Sequence, residues 1–97
     1  MGKAQRPKPL RLAAKLTEIR LNLDLSQNEM IRRLGLSEWL TQAEVSAFER
    51  GVREPPLPVL LQYARVAGVP MDMLVDDALE LPNRLPASLR GKWSLPR

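Results

Sequence analysis

The chain has 97 residues and a formal net charge of +4, with neither cysteine nor histidine. That length allows one small domain. Without cysteine there is no disulfide framework or thiolate metal site, and without histidine the usual general base and the commonest metal ligand are missing. Carboxylates and lysines are present in no catalytic spacing, and no apolar run approaches the roughly 18 residues of a membrane span. The expectation is a soluble cytoplasmic protein that is not an enzyme, needs no cofactor or metal, and has no membrane partner.

Residues 1–9 read as a basic, proline-bearing arm without the apolar stretch of a signal peptide. Residues 1–11 carry Lys3, Arg6, Lys8 and Arg11 with no acid between them. Helical periodicity begins at residue 10. Over residues 10–23, Leu12, Leu16, Ile19 and Leu23 fall on one helix face, and Lys15, Glu18 and Asn22 are assigned to the other. Asp24 and Leu25 interrupt the pattern. Ser26 and Glu29 then form an S-x-x-E capping box, in which each side chain satisfies the other's free backbone donor. Met30, Ile31 and Leu34 give the second helix its apolar face, and Gly35 suits the left-handed position that stops it.

After Leu36, Ser37, Glu38, Trp39 and Leu40, a second capping box appears at Thr41 and Glu44. Val45 and Phe48 form the buried side of the third helix, which ends at Gly51. Paired prolines at 55 and 56 make residues 53–58 a loop. Pro58 fits the first turn of a fourth helix, with Val59, Leu60, Tyr63, Ala64 and Ala67 inward and Gly68 closing it. Met71, Leu74 and Val75 mark a short last helix. Prolines at 82, 86 and 96 break any helix beyond Leu79, and Arg84, Arg90, Lys92 and Arg97 make the end basic again. The pattern predicts an all-α fold of about five short helices, divided into an arm (1–9), a helical domain (10–78) and a tail (79–97). The body between the basic ends, residues 12–81, is net −4. Basic ends suit polyphosphate, since neutralised phosphates release counterions; solvated, unstructured ends explain the same composition equally well.

The ordered set of Ser26-Gln27, Gly35, Thr41-Gln42 and Phe48-Glu49-Arg50-Gly51, followed by Arg53-Glu54-Pro55, resembles the phage repressor and Cro family, the XRE-like helix-turn-helix regulators. The resemblance runs over residues 11–77. It implies a lambda-repressor-like DNA-binding domain that acts as a transcription regulator, expected to be a repressor, on a double-stranded DNA operator as a homodimer. The recognition helix would start at Thr41 and present its first turn to base edges in the major groove.

Gln42 has the amide for a bidentate contact with adenine, Ala43 fits a thymine methyl, and Ser46 and Ala47 are small enough for close approach. Gln27, at the start of the second helix, suits a backbone phosphate; by resemblance it also steadies Gln42. Thr41, Arg50 and Arg53 complete the expected backbone contacts. Arg32 and Arg33 are equally well explained as a solvated helix face. Glu44 is better explained by its cap than by cytosine. By resemblance, Arg20 and Glu49 form a partly buried structural salt bridge.

Relative to the family, four residues (37–40) are extra in the turn. Ser37 and Thr41 compete to begin the third helix, and Thr41 is preferred because residues 41–51 keep the family register without a gap. Trp39 is expected to fill the core. Ile31 stands where the family usually has alanine. Leu79 and Leu81, with the last helix, are the expected dimer surface. Two other functions fit the sequence: the antitoxin of a toxin–antitoxin pair, its C-terminal tail folding on a protein partner, and a protein-interaction adaptor that has lost DNA readout.

Overall fold

A computed structural model describes residues 8–86. Lys3 and Arg6 of the arm, and Arg90, Lys92 and Arg97 of the tail, lie outside the described residues, as does most of the tail expected to meet a partner. Five helices follow in order: α1 (Leu12–Asn22), α2 (Gln27–Leu34), α3 (Gln42–Glu49), α4 (Leu57–Ala67) and α5 (Asp72–Val75). Among the described residues there is no strand.

Local chemistry sets the helix ends. At α2, the Ser26 N–H donates to Glu29 Oε1 at 2.7 Å and the Glu29 N–H to Ser26 Oγ at 3.0 Å. At α3, the Thr41 N–H donates to Glu44 Oε1 at 2.9 Å and the Glu44 N–H to Thr41 Oγ1 at 3.2 Å. Thr41, not Ser37, therefore begins α3. Gly35 and Gly68 close α2 and α4 at φ of +75° and +79°, a left-handed conformation that costs a Cβ-bearing residue free energy. Pro56 caps α4 and Pro58 lies in its first turn, where a missing N–H has no consequence.

One core unites the helices. Leu16 and Ile19 of α1, Met30 of α2, Val45 and Phe48 of α3, Val59 and Tyr63 of α4 and Leu74 of α5 are all buried. α1 packs on α3, α4 and α5, while α2 packs on α3 and α4. Ile31 is buried too, so the larger side chain at this position is accommodated within the core.

Four expectations need correction. α1 begins at Leu12 rather than residue 10, and Leu10 is exposed. Trp39 does not fill the core: it is 56% exposed, and its neighbour Leu40 is buried instead. Residues 36–40 make a turn, with the Leu36 carbonyl accepting from the Trp39 and Leu40 N–H groups, so Leu40 points in and Trp39 out. Leu81 is not free for a dimer surface. It is buried in the same core as Leu85, so apolar packing continues past the boundary expected at residue 78.

The fourth correction is Lys15, assigned to the polar face of α1 but only 2% exposed. Its ammonium donates to the carbonyls of Met73 (2.7 Å), Asp76 (3.0 Å) and Leu79 (2.8 Å). Three N–H donors meet three acceptors; the Asp76 carbonyl also accepts from the Leu79 N–H, while Met73 and Leu79 take their donor from Lys15. A converse contact lies one turn away. Arg11, at the N-cap of α1, provides no side-chain cap; Asp77 supplies one, accepting from the Leu10 N–H at 2.9 Å and the Arg11 N–H at 3.0 Å. Arg11 Nη1 returns a bond to the Asp77 carbonyl at 2.9 Å. The start of α1 and the segment after α5 thus cap each other.

Lys15→Met keeps the apolar stem but leaves the Met73 and Leu79 carbonyls without their donor, while Asp76 keeps the Leu79 N–H. It should destabilise the domain by about 3 kcal/mol, read by urea denaturation; a loss below about 0.5 kcal/mol would mean that solvent replaces the ammonium freely. The Leu10 and Arg11 N–H groups, in that order, hold the Asp77 carboxyl below its ordinary pKa of 3.8. A depressed folded-state pKa contributes stability that is fully present above 3.8 and lost as pH falls through the folded value. Asp77→Asn should therefore flatten the acid limb of the stability–pH curve. An unchanged limb would show that another carboxylate governs it.

Candidate nucleic-acid interface

The surface of α3 follows from what its other side buries. With Val45 and Phe48 in the core, Gln42 and Ala43 are exposed and Ser46 and Ala47 partly exposed. Positions 42, 43, 46 and 47 share one face, as helix geometry requires. Small side chains at 43, 46 and 47 leave the backbone accessible, and Gln42 is the longest group projecting there.

Gln42 is hydrogen-bonded to α2. Its Nε2 donates to Gln27 Oε1 at 3.2 Å, and Gln27 Nε2 donates to Glu49 Oε1 at 3.1 Å. Glu49 in turn accepts twice from Arg20, from Nε at 2.8 Å and from Nη2 at 3.0 Å. Arg20 Nη1 also donates to the Leu25 carbonyl at 2.9 Å. The side chains of Arg20 and Glu49 are only 15% and 6% exposed. The expected salt bridge is present, and it is bidentate, the geometry in which guanidinium and carboxylate bind most strongly. The hydrogen bond to Glu49 raises the Arg20 pKa against the opposing effect of burial. Beneath the pair lies Tyr63, whose buried hydroxyl has no hydrogen-bond partner; burial, then the Glu49 charge, raises its pKa.

The remaining expected contacts lie close by. Thr41 is engaged in its capping box. Arg50 is exposed, and its Nε donates to Ser46 Oγ at 3.1 Å, so two expected DNA contacts are tied together. Arg53 Nη1 lies 3.5 Å from Glu44 Oε2 in an exposed pair, which contributes little to stability and leaves the cation able to exchange partners. The Val52 and Arg53 N–H groups both donate to the Ala47 carbonyl, folding the loop back on the end of α3. Lys8 shares a surface cleft with Val52, Arg53 and Pro55, which brings the root of the basic arm beside that loop. Arg32 and Arg33 are exposed on α2, away from the Gln42 hydrogen bonds.

The Arg53–Glu44 contact was not legible beforehand: a pairing nine residues apart across a loop has no periodicity. The mutual caps of α1 and the segment after α5 escaped for the same reason. Among the described residues, no cluster of three or more Cys, His, Asp or Glu could hold a metal ion, and no helix is long and apolar enough to cross a membrane.

Two short helices, α2 and α3, joined by a turn and bridged by glutamines at their first positions, form the arrangement that a helix-turn-helix family model matches over residues 16–74, more than half of the chain. The chain belongs to the XRE-like helix-turn-helix family. At the family level it is a DNA-binding transcription regulator. No curated protein and no solved structure gives a match. Within this helix-turn-helix domain, the turn spans residues 35–41, and α3 is the second helix of the motif.

Glu49→Ala would leave the Arg20 guanidinium without its carboxylate and Gln27 without its acceptor. A stability loss of about 3–5 kcal/mol is expected, measured by chemical denaturation. A loss below about 1 kcal/mol would show that the pair is not the joint its burial suggests.

Proposed function

We propose that the chain is a cytoplasmic repressor that binds a twofold-related DNA operator as a homodimer, with α3 in the major groove. Gln42, Ala43, Ser46 and Ala47 read base edges. Gln27, Thr41, Arg50 and Arg53 engage the flanking phosphates. The observation that carries this reading is the hydrogen bond from Gln42 to Gln27. It holds a base-reading amide in place before DNA arrives, so less side-chain entropy is lost on binding. Gln27 has a second N–H for phosphate at the positive end of α2.

Charge supports the same placement. The body is net −4, so attraction to DNA has to come from local cations. Arg50 and Arg53 flank the end of α3, and Lys8 lies in the cleft beside Arg53. The dimer follows from reach, since one domain reads only a few base pairs and paired half-sites lie about 10 bp apart. With Leu81 committed to the core, the pairing surface has to be formed by other residues.

A second reading, a protein-interaction adaptor, has one observation in its favour: Trp39, 56% exposed, stands beside Glu38 next to α3, where an acidic neighbour disfavours phosphate. Selection of bound sites from random duplexes separates the two. The repressor reading expects a symmetric site with half-sites about 10 bp apart and salt-dependent affinity. It also expects Gln42→Ala to lose about 1–3 kcal/mol of discrimination at one base position per half-site. Absence of any salt-dependent duplex binding would leave the adaptor.

A further inference from the structure

We propose that Glu49, which lies under the recognition surface, determines which base Gln42 accepts, by fixing the direction of every hydrogen bond between them. The inference rests on the reading of Gln42 given above and concerns how its specificity arises.

The argument is one of donors and acceptors. A carboxylate bound twice by a guanidinium can only accept. Gln27, facing Glu49 Oε1 at 3.1 Å, must turn its NH₂ toward that oxygen. Its own amide oxygen then faces Gln42, and Gln42 must answer with an N–H, as the 3.2 Å contact requires. Neither glutamine can flip. A flipped Gln27 would set an oxygen against the Glu49 carboxylate, and a flipped Gln42 would set an oxygen against the Gln27 carbonyl. The Arg20 charge keeps Glu49 an acceptor, so the order passes from a buried ion pair through two amides to the protein surface.

Gln42 therefore meets DNA with one N–H already given away. One N–H donor and the amide oxygen are left. In the major groove adenine offers one acceptor, N7, and one donor, the N6 amino group, while guanine offers two acceptors, N7 and O6. The fixed amide matches adenine. Against guanine, its oxygen would face O6, acceptor to acceptor. A glutamine free to turn over could present its NH₂ to either acceptor of guanine and would discriminate less. Glu49 touches no DNA in this scheme; it is a positioning residue acting through Gln27 and Gln42.

The test uses the full chain and a duplex taken from selected sites. Gln42→Ala first locates the base pair that Gln42 reads. Affinity is then compared with adenine and with guanine at that pair. Wild type should favour adenine by about tenfold or more. Gln27→Leu keeps the Arg20–Glu49 pair but frees both N–H groups of Gln42. Glu49→Gln keeps an oxygen for Arg20 but lets the amide order reverse. Each variant should bring the adenine-to-guanine ratio toward unity at that pair alone, whatever uniform loss of affinity accompanies it. Preferences at the other base pairs should not move, and a merely structural role would not produce that pattern. Thermal melting establishes that each variant is folded; if Glu49→Gln is not, Gln27→Leu decides alone. An unchanged ratio in folded Gln27→Leu overturns the inference while the base-reading role of Gln42 stands. No change of preference at any position in Gln42→Ala overturns both.

Discussion

A carboxylate as enclosed as that of Glu49 is stable only with a cation and with its oxygens hydrogen-bonded, and Arg20 answers both needs from a different helix. The consequences spread outward from this joint. Because Arg20 belongs to α1 and Glu49 ends α3, the pair fixes the C-terminal end of α3 against the first helix. Because Arg20 also binds the Leu25 carbonyl, it holds the loop that leads into α2. Because Glu49 has an oxygen to share with Gln27, α2 is oriented by the same charge. Three helices thus take their relative placement from one ion pair. The apolar core supplies most of the stabilisation, since contacts among Leu16, Ile19, Val45 and Tyr63 are larger in area. Apolar packing is non-directional, however, and a guanidinium fork is not.

The second fastening is at the far end of α1. Lys15 and Asp77 exchange roles across the chain, one supplying donors to the end of α5 and the other acceptors to the start of α1. Such an exchange suits a chain this short. A small domain has little apolar surface to bury, and the start of α1 has no local side-chain cap. Long-range caps serve both purposes: they satisfy backbone groups that burial would otherwise penalise, and they pin residues 72–80 onto α1. Leu81 and Leu85 can then reach the core. Since α1 also carries Arg20, the geometry of the exposed α3 face depends indirectly on this distant contact.

The helix pattern was readable because the informative chemistry is local. Both capping boxes, the left-handed glycines Gly35, Gly51 and Gly68 and the apolar spacing of α2, α3 and α4 lie within a few residues of what they determine. The Arg20–Glu49 pair came from resemblance, not from spacing, for nothing in a separation of 29 residues announces a contact. Lys15 was misread for a physical reason: a lysine among polar neighbours looks solvated, and only the three carbonyls from residues 73–79 make its burial tolerable. Trp39 was misread because size and apolarity favour burial on average, while the turn geometry of residues 36–40 gives the inward position to Leu40 instead. Leu81 and Leu85 were hidden by the prolines around them, which disfavour a helix interior but not packing.

The longer turn raises the question of how a four-residue insertion leaves the amide order intact. The register of α3 is set independently at its two ends. Its start is defined by Thr41 and Glu44, whose mutual bonds involve none of the residues before 41. Its end is defined by Glu49 on Arg20. Between these points the helix has a fixed length, so Gln42 lies two turns from Glu49 whatever precedes it. The turn has only to connect the end of α2 with Thr41, and it does so by tightening on the Leu36 carbonyl and burying Leu40 as an anchor. Extra chain is then projected outward as Ser37, Glu38 and Trp39, all exposed. A helix clamped at both ends can therefore carry a variable turn without losing its alignment to the helix beneath it.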